Sequence, residues 1–211
     1  LASKILTFSR QREQERRPMR IQAVINEAMG LLRGALPATI RIHEDIDPMC
    51  PAILGDPTEV HQIVMNICMN AYHAMRERGG VLSLSLQECR IEDDLPDLPS
   101  GSYAVLHVGD TGHGMDETTL SRVFEPYFTT KKREEGTGLG LATAHGIVTA
   151  YGGAIRVESE VGAGSTFHIY LPTHLQPSST RGEDSAVPRN RSGKSRILIV
   201  DDEESVVRVA S

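Results

Sequence analysis

Three glycines within five residues precede a helix-like run in the stretch EEGTGLGLATAHGI, residues 134–147. The backbone N–H groups of such a turn, together with the positive end of the following helix, favour an anion such as phosphate. The stretch is not a P-loop, because leucine and alanine follow the last glycine where lysine and serine or threonine are needed. It is not a dinucleotide fingerprint either, because Gly136, Gly138 and Gly140 are spaced G-x-G-x-G. We therefore expect a phosphate site of another kind.

Two asparagines interrupt an apolar helical run that extends from Val60 to Ala71. Asn66 and Asn70 are four residues apart and therefore share one face of the helix. A buried amide without a partner costs about 1–3 kcal/mol, so each must bond either to nearby backbone or to a ligand. Mg²⁺ takes only one or two protein oxygens when phosphates and waters complete its octahedron. One amide oxygen would therefore be enough for a metal in a nucleotide site.

The segment DTGHGM, residues 110–115, begins at the end of an apolar strand. Asp110 can accept a hydrogen bond from an exocyclic amine such as that of adenine. Gly112 and Gly114 allow the backbone to turn sharply and to approach a flat ligand closely. The alternative interpretation is an ordinary turn after a strand.

The segment RVFEPYFTTKK, residues 122–132, has the composition of a mobile lid. Phe124 and Phe128 would anchor its base, while its tip is charged and is followed by the glycines of the first stretch. The basic residues after Thr130, among them Lys131, could contact phosphates or could simply be solvated.

These residues need a framework of helices and strands to hold them together. Hydrophobic periodicity predicts both kinds of element, and the mixture favours a two-layer α/β sandwich with a mixed sheet. The predicted helices are 1–17, 21–33, 56–78 and 139–150, and the predicted strands lie around Ile40 and Ile42 and over 81–91, 103–108, 153–159 and 165–171. For the helix at 56–78 we expect Asp56 and Glu59 to form a capping box.

Composition narrows the possible functions of the 211-residue chain. The net charge of −6 argues against a general nucleic-acid binder. No apolar run is long enough to span a membrane, and the opening Leu1 suggests an excised fragment without a signal peptide. Cys50, Cys68 and Cys89 lack metal-ligand spacing and are expected to be reduced core residues.

Four blocks in this order resemble the nucleotide-binding domain of bacterial sensor histidine kinases, within the GHKL superfamily. QIVMNICMNA resembles the N box, DTGHGM the G1 box, FEPYFTTK the F box and GTGLGLA the G2 box. The closing GAGSTFHIYLP is similar to the last strand of that family. The resemblance implies the Bergerat fold, a mixed sheet with helices on one face and ATP held between the asparagine helix and a lid.

The resemblance also implies roles for individual residues. Asn70 would bind Mg²⁺, Asn66 would line the phosphates, and these two are the implied catalytic residues. Asp110 would take the adenine amine, and Thr166 would reach the adenine through water. The full implied ATP-binding set is Asn66, Asn70, His73, Asp110, Gly112, Gly114, Met115, Lys131, Thr137, Gly138, Leu139, Gly140, Leu141 and Thr166.

Position 66 favours phosphoryl transfer to a histidine over hydrolysis. The ATP-hydrolysing relatives have a glutamate there that activates water, and an amide cannot act as a general base. His43 begins a His-Glu pair with a proline five residues on, but it lies in a predicted strand and is rejected as the phosphate acceptor. The alternatives are a GHKL-type ATPase and a non-enzymatic module that senses nucleotide.

The resemblance divides the chain into four parts. Residues 1–19 resemble the end of a dimerisation hairpin helix, 20–175 the catalytic ATP-binding domain, 176–195 a flexible linker, and 196–211 the start of a receiver domain. The implied parent is a hybrid kinase that passes phosphate to its fused receiver or to a separate response regulator. We expect it to be a homodimer with its catalytic part in the cytoplasm, and we expect the present chain to be a monomer without the acceptor histidine.

Overall fold

A five-stranded mixed sheet forms the frame of the molecule. The computed structural model describes residues 16–95, 97–130 and 137–174. In chain order the elements are β1 (Arg17–Met19), α1 (Ile21–Ala35), β2 (Ile40–Ile46), β3 (Ile53–Gly55), α2 (Pro57–Met75), β4 (Gly80–Ile91), β5 (Gly101–Asp110), α3 (Glu117–Arg122), α4 (Gly140–Ala150), β6 (Ala154–Glu160) and β7 (Gly164–Pro172).

The strand order in the main sheet is β2-β4-β5-β7-β6. β2 runs parallel to β4, whereas the other neighbours are antiparallel. The central strand β5 ends at Asp110, which lies between Leu82 of β4 and Ser165 of β7. The register thus places the predicted adenine-binding carboxylate at the end of the middle strand.

The core lies between the sheet and helices α1, α2 and α4, which pack on one of its faces. Side chains alternate along the strands, so that Leu82, Leu84 and Leu86 of β4 are buried against the helices. The predicted two-layer α/β sandwich with a mixed sheet is confirmed. His43 lies in β2, a strand, as the sequence predicted.

Local sequence determines where α2 begins and ends. The carboxylate of Asp56 accepts hydrogen bonds from the backbone N–H groups of Thr58 at 2.6 Å and Glu59 at 3.3 Å, and Pro57 starts the first turn. Gly79, with φ of 71°, donates its N–H to Met75 at the other end. The predicted cap is present, but the side chain of Glu59 accepts from Tyr151 (2.7 Å), an arrangement that the capping-box pattern did not predict.

Three short elements were not predicted. β1 and β3 pair antiparallel, with Arg17 opposite Gly55, and three residues are too few for a periodic pattern. Of the predicted helix over residues 1–17, only the last two residues are described, and Arg17 is already in a strand. The six-residue helix α3 is capped by Asp116, whose carboxylate accepts the backbone N–H of Thr119 at 2.7 Å.

The cysteines differ in exposure. Cys50 and Cys68 are buried, and burial raises their pKa values to about 11 and about 12, so both thiols are protonated at neutral pH. Cys89 is only partly buried and packs near Leu98 in a second, smaller apolar cluster. The predicted linker and receiver segments lie outside the described residues.

Candidate functional site

Asp110 is the buried carboxylate at the end of the central strand, with 8% of its surface exposed. One of its oxygens accepts the N–H of Gly112 at 2.8 Å, and the backbone N–H of Ser165 also donates to the carboxylate. Burial raises the pKa of Asp110, while these two N–H groups and nearby His113 oppose that rise. An acceptor held in this way can bond a ligand amine without having to reorient.

The glycines after Asp110 allow two elements to approach closely. A Cβ on Gly112 would lie 2.6 Å from the Cβ of Ala74 in α2, so only glycine lets this loop contact the asparagine helix. Gly114 has φ of 66°, and a Cβ there would fall on the carbonyl of Glu160. Met115 continues the loop, with its N–H donated to Ser159 Oγ at 2.8 Å. The structure thus explains these glycines by close packing against α2 and Glu160, and their role in approaching a flat ligand stays a prediction.

Helix α2, which carries Asn66 and Asn70 and is called the asparagine helix, forms the second wall of the site. Asn66 and Asn70 are both half-buried on α2, and His73 lies one turn further on, with its ring 5.2 Å from that of Tyr72. The Nδ2 atom of Asn66 is buried and, among the described residues, has no hydrogen-bond partner. An unpaired buried donor of this kind is where an anionic ligand oxygen would fit.

The start of α4 lies directly against Asn66. A Cβ on Gly140 would be 3.3 Å from Asn66 Oδ1, so glycine leaves room between the two helices. Leu139 precedes α4, and its N–H is 3.4 Å from Thr137 Oγ1. Leu141 packs on the core and fixes the first turn of α4. The phosphate-binding stretch and the asparagine helix, predicted from separate motifs, are therefore neighbours.

The predicted lid has two stems that meet. The N–H of Tyr127 donates to the carbonyl of Gly138 at 2.9 Å, and both residues have positive φ, 67° and 66°. Phe124 packs on the core and stacks near His145 of α4, with ring centroids 5.0 Å apart. Phe128 lies under the guanidinium of Arg122 at 4.3 Å. Phe124 therefore packs on the core at the base of the predicted lid, whereas Phe128 contacts Arg122 and is not part of the core. Lys131 and Gly136 lie outside the described residues.

Comparison with known proteins agrees with this geometry. Residues 55–175, more than half of the chain, match the family described as Histidine kinase-, DNA gyrase B-, and HSP90-like ATPase. The chain belongs to this family. The sensor kinase CckA of Brucella abortus (strain 2308) is 32% identical over 98% of this chain and 23% of its own length.

Solved histidine kinases have the same fold. The mycobacterial sensor histidine kinase MprB is 26% identical with a TM-score of 0.61, and the match covers 75% of this chain and 98% of that one. Full-length ShkA in complex with AMPPNP is 25% identical with a TM-score of 0.61, covering 79% of this chain and 33% of that one. The chain thus spans about a quarter of CckA and a third of ShkA.

The structure does not bring every implied residue to the site of this histidine kinase-like ATPase domain. Thr166 pairs with Gly109, and its hydroxyl lies on the face of the sheet opposite the helices, together with Ser83. Ser165, the preceding residue, is buried on the same side as Asp110 and bonds Ser159 Oγ at 2.9 Å. The period of two in GSTFHIYL could have revealed this, because Phe167 and Ile169 are the inward residues.

The donor set allows a magnesium ion held jointly with phosphates. Among the residues that the structure describes, no group of three or more His, Cys, Asp or Glu side chains could hold a metal. The amides of Asn66 and Asn70 are the polar side chains on the site face of α2, and neutral oxygens of this type suit Mg²⁺ when phosphates supply the charge. Across the described residues, no helix is both long and apolar enough to cross a membrane.

Proposed function

We propose that this chain is the ATP-binding catalytic domain of a sensor histidine kinase. It binds Mg-ATP and transfers the γ-phosphate to a histidine on a dimerisation domain. The observation that carries the proposal is the arrangement of two groups. A hydrogen-bonded buried carboxylate, Asp110, lies on one side of the asparagine helix. A buried amide donor, Asn66 Nδ2, has no partner in the part of the chain that the structure describes and lies where α4 meets that helix.

Different residues of the site bind the base, the phosphates and the metal of Mg-ATP. Asp110 accepts the adenine amine, and Gly112 and Gly114 allow the backbone to lie against the base. Asn66 Nδ2 donates to a phosphate oxygen beside Gly140, and the oxygen of Asn70 holds Mg²⁺. ATP supplies the phosphoryl group and Mg²⁺ neutralises its charge. The protein contributes position and charge balance, which is most of what phosphoryl transfer requires.

Hydrolysis of ATP is the competing activity, and Glu59 is the residue on which it would depend. Glu59 is the only acid of α2 and precedes Asn66 by about two turns. Its carboxylate accepts the Tyr151 hydroxyl at 2.7 Å, at the far end of α2 from the phosphate site. Within α2, which the structure describes in full, no acid therefore lies beside Asn66 to activate water. We expect steady-state phosphate release close to background, and a turnover that Glu59→Gln abolishes would favour the ATPase.

We further propose the setting in which this domain works. The residues before β1 come from a dimerisation hairpin, a shorter part than the predicted 1–19 because Arg17–Met19 pair with β3 of the domain. Residues 176–195 are a linker, and 196–211 begin a receiver domain of a hybrid kinase. The similarity to CckA covers 98% of the chain and therefore includes most of this C-terminal segment. A homodimeric parent would present the acceptor histidine, and a fused receiver or separate regulator would take the phosphate. Because the substrate is ATP, the catalytic part would lie in the cytoplasm.

A calorimetric titration of the 211-residue chain with a non-hydrolysable ATP analogue, with and without Mg²⁺, tests the proposal. We expect binding that strengthens with Mg²⁺ and loses this dependence in Asn70→Ala. His61→Ala is a matched control, because His61 is on the same helix but belongs to none of the walls described above.

Failure of the unmodified chain to bind the analogue in either condition would contradict the proposal. Binding without any Mg²⁺ dependence would favour a module that senses nucleotide over a kinase domain. Labelling of an added dimerisation domain from ATP, lost in Asn70→Ala, would complete the assignment.

A further inference from the structure

Tyr151 joins the two helices that form the phosphate end of the site. It follows the last residue of α4, and its hydroxyl donates to Glu59 of α2 at 2.7 Å. The same hydroxyl accepts the backbone N–H of Asp56, the residue that caps α2, at 2.9 Å. Burial raises the pKa of Tyr151 to about 12, so the hydroxyl remains a donor at every physiological pH. One phenol thus binds the start of α2 to the end of α4.

A third segment meets the same tyrosine. The guanidinium of Arg16 lies 4.3 Å over the Tyr151 ring and donates to the carbonyl of Ala150 at 2.8 Å. A cation at the last carbonyl of a helix is stabilised by the helix dipole. Arg16 immediately precedes β1, where the chain enters the domain. We call Arg16, Asp56, Glu59 and Tyr151 the Tyr151 junction.

The sequence around the tyrosine makes room for it. A Cβ on Gly55 would lie 3.1 Å from Tyr151 Cε2, so any larger residue at position 55 would press on the ring. After the tyrosine, Gly152 has φ of 72° and ends α4. The ring is therefore held between β3, α2 and the entering segment.

The junction and the phosphate end are two separate contacts between the same pair of helices, α2 and α4. α2 runs about 10 Å from Glu59 to Asn66, and α4 runs about 15 Å from Ala150 back to Gly140, at 1.5 Å per residue. At the second end the helices touch through Gly140 and Asn66. A tilt of α4 about one contact must change the spacing at the other, because both helices are rigid over these lengths.

We infer that Tyr151 is a positioning residue that sets the spacing of α2 and α4 at the phosphate end, and that Arg16 makes this spacing depend on the segment entering the domain. The inference rests on the proposed function, because it assigns the phosphates to the gap between Asn66 and Gly140. Adenine recognition at Asp110 lies on the sheet and does not depend on α4. The junction therefore changes how the chain binds phosphates and leaves adenosine binding unchanged.

The test compares the affinities of the 211-residue chain for adenosine, followed by NMR, and for a non-hydrolysable ATP analogue with Mg²⁺, followed by calorimetry. Tyr151→Phe keeps the ring under Arg16 and removes only the hydroxyl. We expect the affinity for the ATP analogue to fall about three- to tenfold while that for adenosine stays within about twofold. The ratio of the affinity for the ATP analogue to the affinity for adenosine should also fall in Arg16→Met, by about twofold to fivefold.

Tyr103→Phe is the matched control. Its hydroxyl donates to the carbonyl of Pro99 at 2.7 Å in the smaller apolar cluster, so the variant also loses one tyrosine hydrogen bond. Its thermal midpoint should fall while the ratio of the two affinities stays constant. A purely structural role for Tyr151 would give this same result.

The outcomes separate the two hypotheses. If Tyr151→Phe keeps the ratio of the unmodified chain, the positioning role is overturned although the proposed function stands. If only Arg16→Met keeps the ratio, the link to the entering segment is overturned. If the unmodified chain binds neither ligand, the proposed function fails and the inference falls with it.

Discussion

The two ends of the candidate nucleotide site are built by different means. At the adenine end, Asp110 is buried and accepts hydrogen bonds from two backbone N–H groups of its own chain. At the phosphate end, Asn66 carries a buried Nδ2 that has no partner among the described residues. Both ends contain buried polar groups, but only the adenine end has hydrogen bonds to those groups from the described part of the protein itself.

The desolvation of polar groups therefore affects folding at one end and ligand binding at the other. The fold already holds a carboxylate in place at the adenine end, and burial of its charge opposes folding. At the phosphate end, Asn66 Nδ2 has no partner among the described residues, so a ligand that accepts its hydrogen bond would relieve a cost that folding left in place. Substitutions at the two ends should therefore have different effects on the stability of the free protein and on its affinity for nucleotide.

The largest effect is expected from Asp110→Asn. The amide loses one of the acceptor oxygens and presents a donor to the adenine amine, so affinity for ADP should fall about 100-fold, near the upper range for a hydrogen bond to a charged group.

The same substitution should also change stability, because burial raises the pKa of Asp110 in the folded state. The carboxyl therefore stabilises the fold below its ordinary pKa, and this stabilisation is lost as the pH rises through the folded-state pKa. At pH 7 the asparagine variant should consequently be at least as stable as the unmodified chain.

Thermal unfolding between pH 3.5 and pH 7, about the range from the ordinary aspartate pKa to neutrality, measures the stability half of this prediction. The difference in thermal midpoint between Asp110→Asn and the unmodified chain should become smaller as the pH falls. Asp116→Asn is the control, because Asp116 caps the exposed helix α3 and asparagine caps equally well. If Asp110→Asn lost both stability and affinity at pH 7, the ionised carboxylate would be shown to stabilise the fold and not to destabilise it.

At the phosphate end, Asn66→Ala should lower the affinity for nucleotide with little effect on stability. The substitution removes a buried donor that has no partner within residues 16–95, 97–130 and 137–174, so the free energy of unfolding should stay within about 1 kcal/mol of the original. Affinity for the ATP analogue should fall about tenfold, whereas affinity for adenosine should not change. Denaturant unfolding and the two titrations measure these quantities, and a large loss of stability would mean that Asn66 supports α2 itself.

The framework of the molecule could largely be predicted from sequence. The long elements α1, α2, β4 and β5 follow clear periodic patterns, and their bounds agree with the predicted ones to within a few residues. The three-residue strands β1 and β3 could not be predicted, because their pairing is a contact between distant segments that no local pattern contains. Glu59 shows the same limit, since its partner is Tyr151, 92 residues away.

Within the site, side-chain direction was harder to predict than residue type. The motifs identified Asp110, Asn66 and Gly140, and the structure places Gly140 against Asn66. They selected Thr166, whereas the alternation of β7 puts Ser165 on the side of Asp110. The roles of the remaining implied residues stay predictions, and Lys131 lies outside the described residues.

The smallest change in affinity should come from Gly140→Ala, and Gly146 of the same helix provides its control. A Cβ at Gly140 would lie 3.3 Å from Asn66 Oδ1, so Gly140→Ala must shift the amide by a few tenths of an ångström. We expect affinity for the ATP analogue to fall about threefold, because Asn66 Nδ2 moves with its oxygen. Gly146 has nothing within 4 Å of its Cβ position, so Gly146→Ala should stabilise α4 by up to about 1 kcal/mol and leave affinity unchanged. Equal affinities in the two variants would mean that the helix spacing tolerates a methyl group, and that the phosphate end is less closely fitted than the adenine end.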